Sequence, residues 1–253
     1  MKIEKLSASS INTYEQCPYK FKLSITGQLP IVTKVYFEFG TLIHEVLDQY
    51  FKLHSFNQSF LPIDTLLDIY SKEVLKYRIE DRASEGKKLL NKYYNTYLIN
   101  NVCRTRETEK KFKICMGKFN LTGKIDRIDE LPDLFMEVID YKTGTPNKTD
   151  LKRNKQLLIY ALKVFNDYNF ELEKCKVSLH YLKKTQPTSV WIYKEEIKEF
   201  RIVLEDLYNK IISDIYYNPT KNIFCGNCEA FAICPLFNKR KNVFSSTKKE
   251  IVL

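Results

Sequence analysis

Two hydrophobic periods alternate along the chain. From Phe39 to Tyr50, apolar residues fall at Phe39, Leu42, Ile43, Val46, Leu47 and Tyr50, the spacing of a helix with one buried stripe. Upstream, SASSINTYEQC offers Ser and Asn caps for a short helix that runs into a turn at Pro18. Residues 62–100 are helical in composition and read as two helices broken near Ser84-Glu85-Gly86. The period then falls to two: residues 111–114, 119–128 and 134–142 alternate like strands. DLKRNKQLLIYALKVF returns to helical spacing, KVSLHYLKK and SVWIYK read as strands, and residues 195–216 predict a long helix. This order predicts an α/β or α+β domain around a mixed sheet, preceded by a helical insertion over 52–105. With no internal repeat and no low-complexity linker, residues 1–253 read as a single domain ending in a basic tail over 238–253.

Composition narrows the class. An apolar share of 44% supports a real core, and Lys plus Arg outnumber Asp plus Glu by 41 to 31, a net charge of +10. Such an excess favours a polyanionic partner, most often nucleic acid, although a lysine-rich proteome yields basic proteins without one. No apolar signal core and no run long enough to span a bilayer occurs, so an intracellular, reducing, cytoplasmic setting without membrane is expected. There is no phosphate-binding P-loop and no glycine-rich dinucleotide fingerprint, which argues against a motor.

The chemistry concentrates in LTGKIDRIDELPDLFMEVIDYKTG, residues 121–144. Residues two apart share a strand face, so Asp140 and Lys142 point the same way, with Met136 and Val138. Asp126 lies on the preceding strand, across the turn at Leu131-Pro132-Asp133, and can converge with Asp140 if the strands pair. Two close carboxylates repel unless a cation lies between them, and a hard ion such as Mg²⁺ or Mn²⁺ takes oxygen ligands. A neighbouring lysine can stabilise charge on a phosphate oxygen. Asp129, three residues from Asp126, faces away and reads as turn-forming. The bland reading is a surface Asp–Lys pair on an edge strand, but Gly144 and Pro146 stop the strand just past the polar pair, where functional groups of sheets commonly sit.

The phrases Gly123-Lys124-Ile125-Asp126-Arg127 and Ile139-Asp140-Tyr141-Lys142-Thr143-Gly144, followed by Gln156 and Tyr160 and preceded by FGTLIHEVL, resemble in order and spacing the RecB-like branch of the PD-(D/E)xK nucleases. The resemblance implies a restriction-endonuclease-like core: a mixed central sheet flanked by helices. It implies that His44, Asp126, Asp140 and the main-chain carbonyl of Tyr141 hold Mg²⁺ or Mn²⁺, with Lys142, Gln156 and Tyr160 completing the catalytic set. By residue type alone, His44 would be a packed or surface histidine, and Gln156 and Tyr160 a surface amide and a core phenol. Arg127, with Lys152, Arg153 and Lys155 at the start of the next helix, is the expected hold on the DNA backbone.

Seven cysteines in a reducing setting point to metal before disulfides. Cys225, Cys228 and Cys234 read C-x2-C-x5-C, and Cys234, like Cys17, is followed by proline. Four thiolates suit Zn²⁺ or an iron–sulfur cluster, and spacing does not choose between them. AddB-type nuclease domains and the RecB-like exonucleases of CRISPR adaptation are similar in layout, which implies a [4Fe-4S] cluster on Cys17, Cys225, Cys228 and Cys234, with zinc as the alternative. Cys103, Cys115 and Cys175 read as structural.

The expected function is a metal-dependent deoxyribonuclease, a single-strand-preferring exonuclease acting on single strands or frayed ends in repair, recombination or CRISPR adaptation, with a helicase or CRISPR integration proteins as partners. Interleaved Tyr and Lys, as in NKYYNTYL, suit unstacked bases. The alternatives are a low-activity DNA-end-binding or adaptor subunit of a larger complex, and a zinc-stabilised structural or RNA-binding protein.

Overall fold

The computed structural model describes residues 3–31, 35–57, 61–100, 103–145, 150–168 and 172–238. Pro146 and the basic tail from 239 onward lie outside them. The chain divides into two compact units, Lys2–Ala8 with Lys34–Tyr208 and Ser9–Thr33 with Asn209–Leu253. Among the described residues no helix is long and apolar enough to cross a membrane.

The larger unit is an α/β structure around a six-stranded mixed sheet, the expected core. Its strands are β1 (Lys5–Leu6), β2 (Arg104–Cys115), β3 (Asn120–Glu130), β4 (Met136–Lys142), β5 (Lys174–Tyr181) and β6 (Thr188–Tyr193). β1 pairs with β3 and β4 with β5 in parallel; the other pairings are antiparallel. β2 covers one edge of β3 from end to end. The opposite edge is shared, β1 taking Asn120 and Leu121 and β4 taking Arg127 to Glu130. The ladder between β3 and β4 ends with Arg127 opposite Ile139, so the two strands diverge at Asp126. That fork positions the candidate site.

The helix expected around Phe39–Tyr50 is α3 (Val35–Asn57), and its apolar stripe packs on Ile139 and Tyr141 of β4. α4 (Ile63–Tyr77) and α5 (Ala83–Thr96) complete that layer and form the helical insertion. The break between them falls at Arg78–Arg82, not near Ser84-Glu85-Gly86. Arg78 ends α4 in the left-handed region at φ 54°, whereas Gly86 lies inside α5, where a Cβ would sit 2.1 Å from the Tyr70 hydroxyl. Gly86 thus marks close helix packing, not a break. On the other face α6 (Lys155–Asp167) is capped by Asn154 Oδ1, which accepts from Leu157 N at 3.2 Å. It packs on β4 and β5 through its buried apolar residues.

The smaller unit holds α1 (Ala8–Gln16), α2 (Pro18–Ile25) and the end of α7 (Lys194–Ser213). Pro18 starts α2, a first-turn position where its missing N–H costs nothing. Tyr14, Phe21 and Tyr217 form its aromatic centre, and the Tyr14 hydroxyl donates to Asp214 at 3.0 Å.

Candidate active site

The fork gathers most of the expected residues. Tyr141 N, freed from the β3–β4 ladder, donates instead to Asp126 Oδ2 at 2.8 Å. The other carboxylate oxygen, Asp126 Oδ1, lies 3.3 Å from His44 Nδ1, brought in by α3. Burial lowers the basicity of His44, but the hydrogen bond and charge of Asp126 outweigh it and raise the pKa overall.

Asp140 is 2% exposed and fully engaged. Lys142 Nζ sits 2.6 Å from its Oδ2, as expected for strand neighbours two apart. Gln156 Nε2 donates to its Oδ1 at 2.9 Å and to the Tyr160 hydroxyl at 2.8 Å, while Lys142 Nζ reaches Gln156 Oε1 at 3.5 Å. One amide therefore ties helix α6 to both Asp140 and Lys142 of β4. Burial pushes the Asp140 carboxyl up to about 6, against the pull of Lys142 and with the repulsion of Asp126. Tyr160 is braced from β2 by Phe112, edge-on at 6.1 Å. Phe112 can lie there because Gly123 is opposite: a Cβ would come within 2.6 Å of its ring. Gly123 is thus required by the packing that supports Tyr160.

A residue missed by sequence reasoning joins them. Ligand atoms of His44, Glu109 and Asp126 all lie within 4.8 Å of one another. Opposite ligands of a cation bound at ~2.1 Å stand ~4.2 Å apart, so a slight closing of this group would bring all three onto one shared ion. The β2–β3 register places Glu109 across from Asp126, between the pairs Thr108–Arg127 and Lys110–Ile125. Counting back from the tight turn at 116–119 predicts that juxtaposition from sequence. Asp140 is not in the group, being held by Lys142 and Gln156. The residues present suit a divalent cation: an imidazole and carboxylates meet, with ammonium groups only at the flanks.

Three expectations change. Arg127, expected on DNA, is 0% exposed. Its guanidinium stacks 3.8 Å from the Phe51 ring centroid, pairs with Asp129 Oδ2 at 3.0 Å and donates to the Tyr141 hydroxyl at 3.0 Å. It faces the helical layer because its side chain points opposite to Asp126. Asp129 does face away from Asp126, but it is a fully buried member of β3, not a turn residue. Lys152 and Arg153 lie on a one-turn 3₁₀ helix before α6, and Lys152 Nζ donates to Glu196 at 2.9 Å. Arg153 is exposed and Lys155 opens α6.

In the smaller unit none of the expected cysteine ligands is in a disulfide. Thr220 N donates to Cys17 Sγ at 3.5 Å and Asn222 N to Cys225 Sγ at 3.3 Å. Asn222 Nδ2 also ties to Gln16 O at 3.0 Å, joining the segment before Cys225 to that before Cys17. Burial, aided by the nearby Cys234 and Cys17, raises the Tyr19 phenol pKa. Main-chain N–H groups aimed at sulfur stabilise thiolates, while the group close enough to share one ion among the described residues is that of His44, Glu109 and Asp126.

A model of the PD-(D/E)XK nuclease superfamily matches residues 5–235. The chain belongs to that superfamily. Among solved structures, this superfamily member is similar to a protein from Eubacterium rectale provisionally named an exonuclease, at 12% identity and a TM-score of 0.52, over 98% of this chain and 91% of that one. It is also similar to the protein SSO0001, at 16% identity and a TM-score of 0.41, over 93% and 87%. No curated protein matches it.

Proposed function

We propose that the chain is a Mg²⁺- or Mn²⁺-dependent deoxyribonuclease of the RecB-like branch that hydrolyses phosphodiester bonds with water as nucleophile. The carrying observation is the fork itself, where His44, Asp126 and the Asp140–Lys142–Gln156 cluster meet at the end of a paired ladder. A cation held by His44 and Asp126, with Asp140 and the Tyr141 carbonyl joining them as the resemblance implies once Lys142 and Gln156 release the Asp140 carboxylate, would supply Lewis acidity to the phosphate and the attacking water. Lys142 offers its ammonium to charge developing on a phosphate oxygen. Gln156 holds Asp140 and Tyr160 in place, and Asp126 fixes the Tyr141 main chain. The E. rectale protein's name favours exonucleolytic action and the basic charge a nucleic-acid substrate; single strands or frayed ends are the substrate form proposed, although Tyr93 and Tyr94 of NKYYNTYL are buried and do not offer rings to bases. The test is cleavage of end-labelled single-stranded, duplex and circular single-stranded DNA with Mg²⁺, Mn²⁺ or chelator. Chelator-resistant cutting, or full activity of Asp140→Ala, would sink this reading; rapid cutting of the circle would replace exonuclease by endonuclease.

Cys17, Cys225, Cys228 and Cys234 are proposed to hold a [4Fe-4S] cluster that ties the chain's two ends into one unit, as metal ligation adds to folding free energy. Iron and sulfide in protein prepared without oxygen are expected; zinc alone would assign a zinc site. A second reading, a subunit of a larger complex, is favoured by the exposed Ile215, Tyr216, Ile223 and Phe224 of the same unit.

A further inference from the structure

Glu109 is held in an unusual way. Its φ of 48° puts a non-glycine residue in the left-handed region within a long strand, where regular pairing would keep it extended. Its carboxylate is thereby set beside Asp126 and His44 and pairs with Lys124 Nζ. His44, Glu109 and Lys124, with Gly40, Thr41, Glu45 and Thr143, line a cavity of about 360 Å³. Two carboxylates this close repel, and Lys124 is the positive charge that relieves them. Lys124 is also two residues before Asp126, on the same strand face, and half exposed.

We propose that Lys124 is an exchangeable counterion: a divalent cation entering among His44, Glu109 and Asp126 displaces its ammonium from Glu109, and the released ammonium turns to a nucleic-acid phosphate at the rim. Glu109 is then a metal ligand, and Lys124 couples metal loading to substrate binding. This rests on the metal-dependent reading above. A divalent ion competes well here because it meets three donors at once, where the ammonium meets one. After exchange, Lys124 remains within a side chain's reach of any phosphate brought to Asp126.

The experiment is Mn²⁺ titration of the full chain without nucleic acid, read by loss of the free-ion spin-resonance signal, for wild type, Glu109→Gln and Lys124→Ala, each checked for folding by circular dichroism. Glu109→Gln should weaken Mn²⁺ affinity by about 10-fold or more, whereas Lys124→Ala should tighten it. With Ca²⁺ replacing Mn²⁺, Lys124→Ala should weaken binding of a single-stranded oligonucleotide and lower the salt slope by about one. Unchanged affinity in Glu109→Gln, or weaker Mn²⁺ binding in both variants, as a merely structural ion pair would give, overturns the proposal. Wild-type protein that takes up no Mn²⁺ overturns the metal-dependent reading itself.

Discussion

Arg127→Met separates a buried structural role from a DNA contact. The guanidinium is sealed between Phe51, Asp129 and Tyr141, with no exposed surface. Removing it leaves the Asp129 charge buried with Thr105, whose hydroxyl donates to Oδ1 at 2.9 Å. Breaking one side of a buried pair costs about 3–5 kcal/mol, a large part of the ~5–15 kcal/mol by which a domain is stable. The Met side chain fills much of the space, so most of that loss is electrostatic rather than a cavity. Urea unfolding followed by circular dichroism should show the loss as a lower midpoint with an unchanged slope. Below its melting transition, the variant should bind single-stranded DNA with the wild-type salt slope. A stability loss under about 1 kcal/mol, or a slope reduced by about one, would refute the buried role.

Three further outcomes follow from the same structure. Asp140 is raised by burial, so its contribution to stability is present below about pH 4 and lost as pH rises through about 6; metal-free Asp140→Asn should therefore melt higher than wild type at pH 7, yet show no activity and a smaller thermal gain from Mn²⁺. Gly123→Ala should push Phe112 off Tyr160, lowering both stability and cleavage, and Phe112→Leu in the same chain should recover some of each. His180 is buried beside Tyr93, and its pKa is lowered well below the usual value by burial and by Arg127 and Lys176. Its stability contribution is present above about pH 6.5 and lost below it, at up to about 1.4 kcal/mol per pH unit; His180→Gln should flatten that acid limb in pH-dependent unfolding.

The legible stretches of the chain were those whose period and chemistry agree. The α3 stripe and the strands β3 and β4 lie where their periods put them, and the four-residue spacing of Gln156 and Tyr160 brings those side chains together. Less could be read where one local signal had two physical causes. Ile-Asp-Arg-Ile-Asp-Glu carries charge on both strand faces, which normally means an exposed edge, and only the helices laid over one face turn Arg127 and Asp129 inward. Glycine in a helical window reads as a break, but Gly86 serves a close approach to Tyr70. Glu109 sits in Arg-Glu-Thr-Glu-Lys-Lys, where the charge run hides one functional carboxylate among several; the hairpin register distinguishes it, and a one-strand reading has no register.

The two faces of the fork are coupled through Tyr141. Its hydroxyl accepts from Arg127 on the buried face, and its main-chain N–H donates to Asp126 on the other. A buried ion pair gives little net stability against apolar residues of similar shape, so its use here lies in fixing where β4 leaves β3. A slip of one residue would turn Asp126 and Asp140 to the wrong face. The double variant Arg127→Met/Asp129→Asn tests this directly. It neutralises both charges, and the amide introduced at position 129 can still accept from the Thr105 hydroxyl, so most of the stability lost in Arg127→Met should return. Tyr141 would still lack its anchor, so kcat should remain low while KM stays near wild type, because the binding surface is untouched. A double variant that regains stability and full kcat together would show that the pair supports the fold but does not position the site.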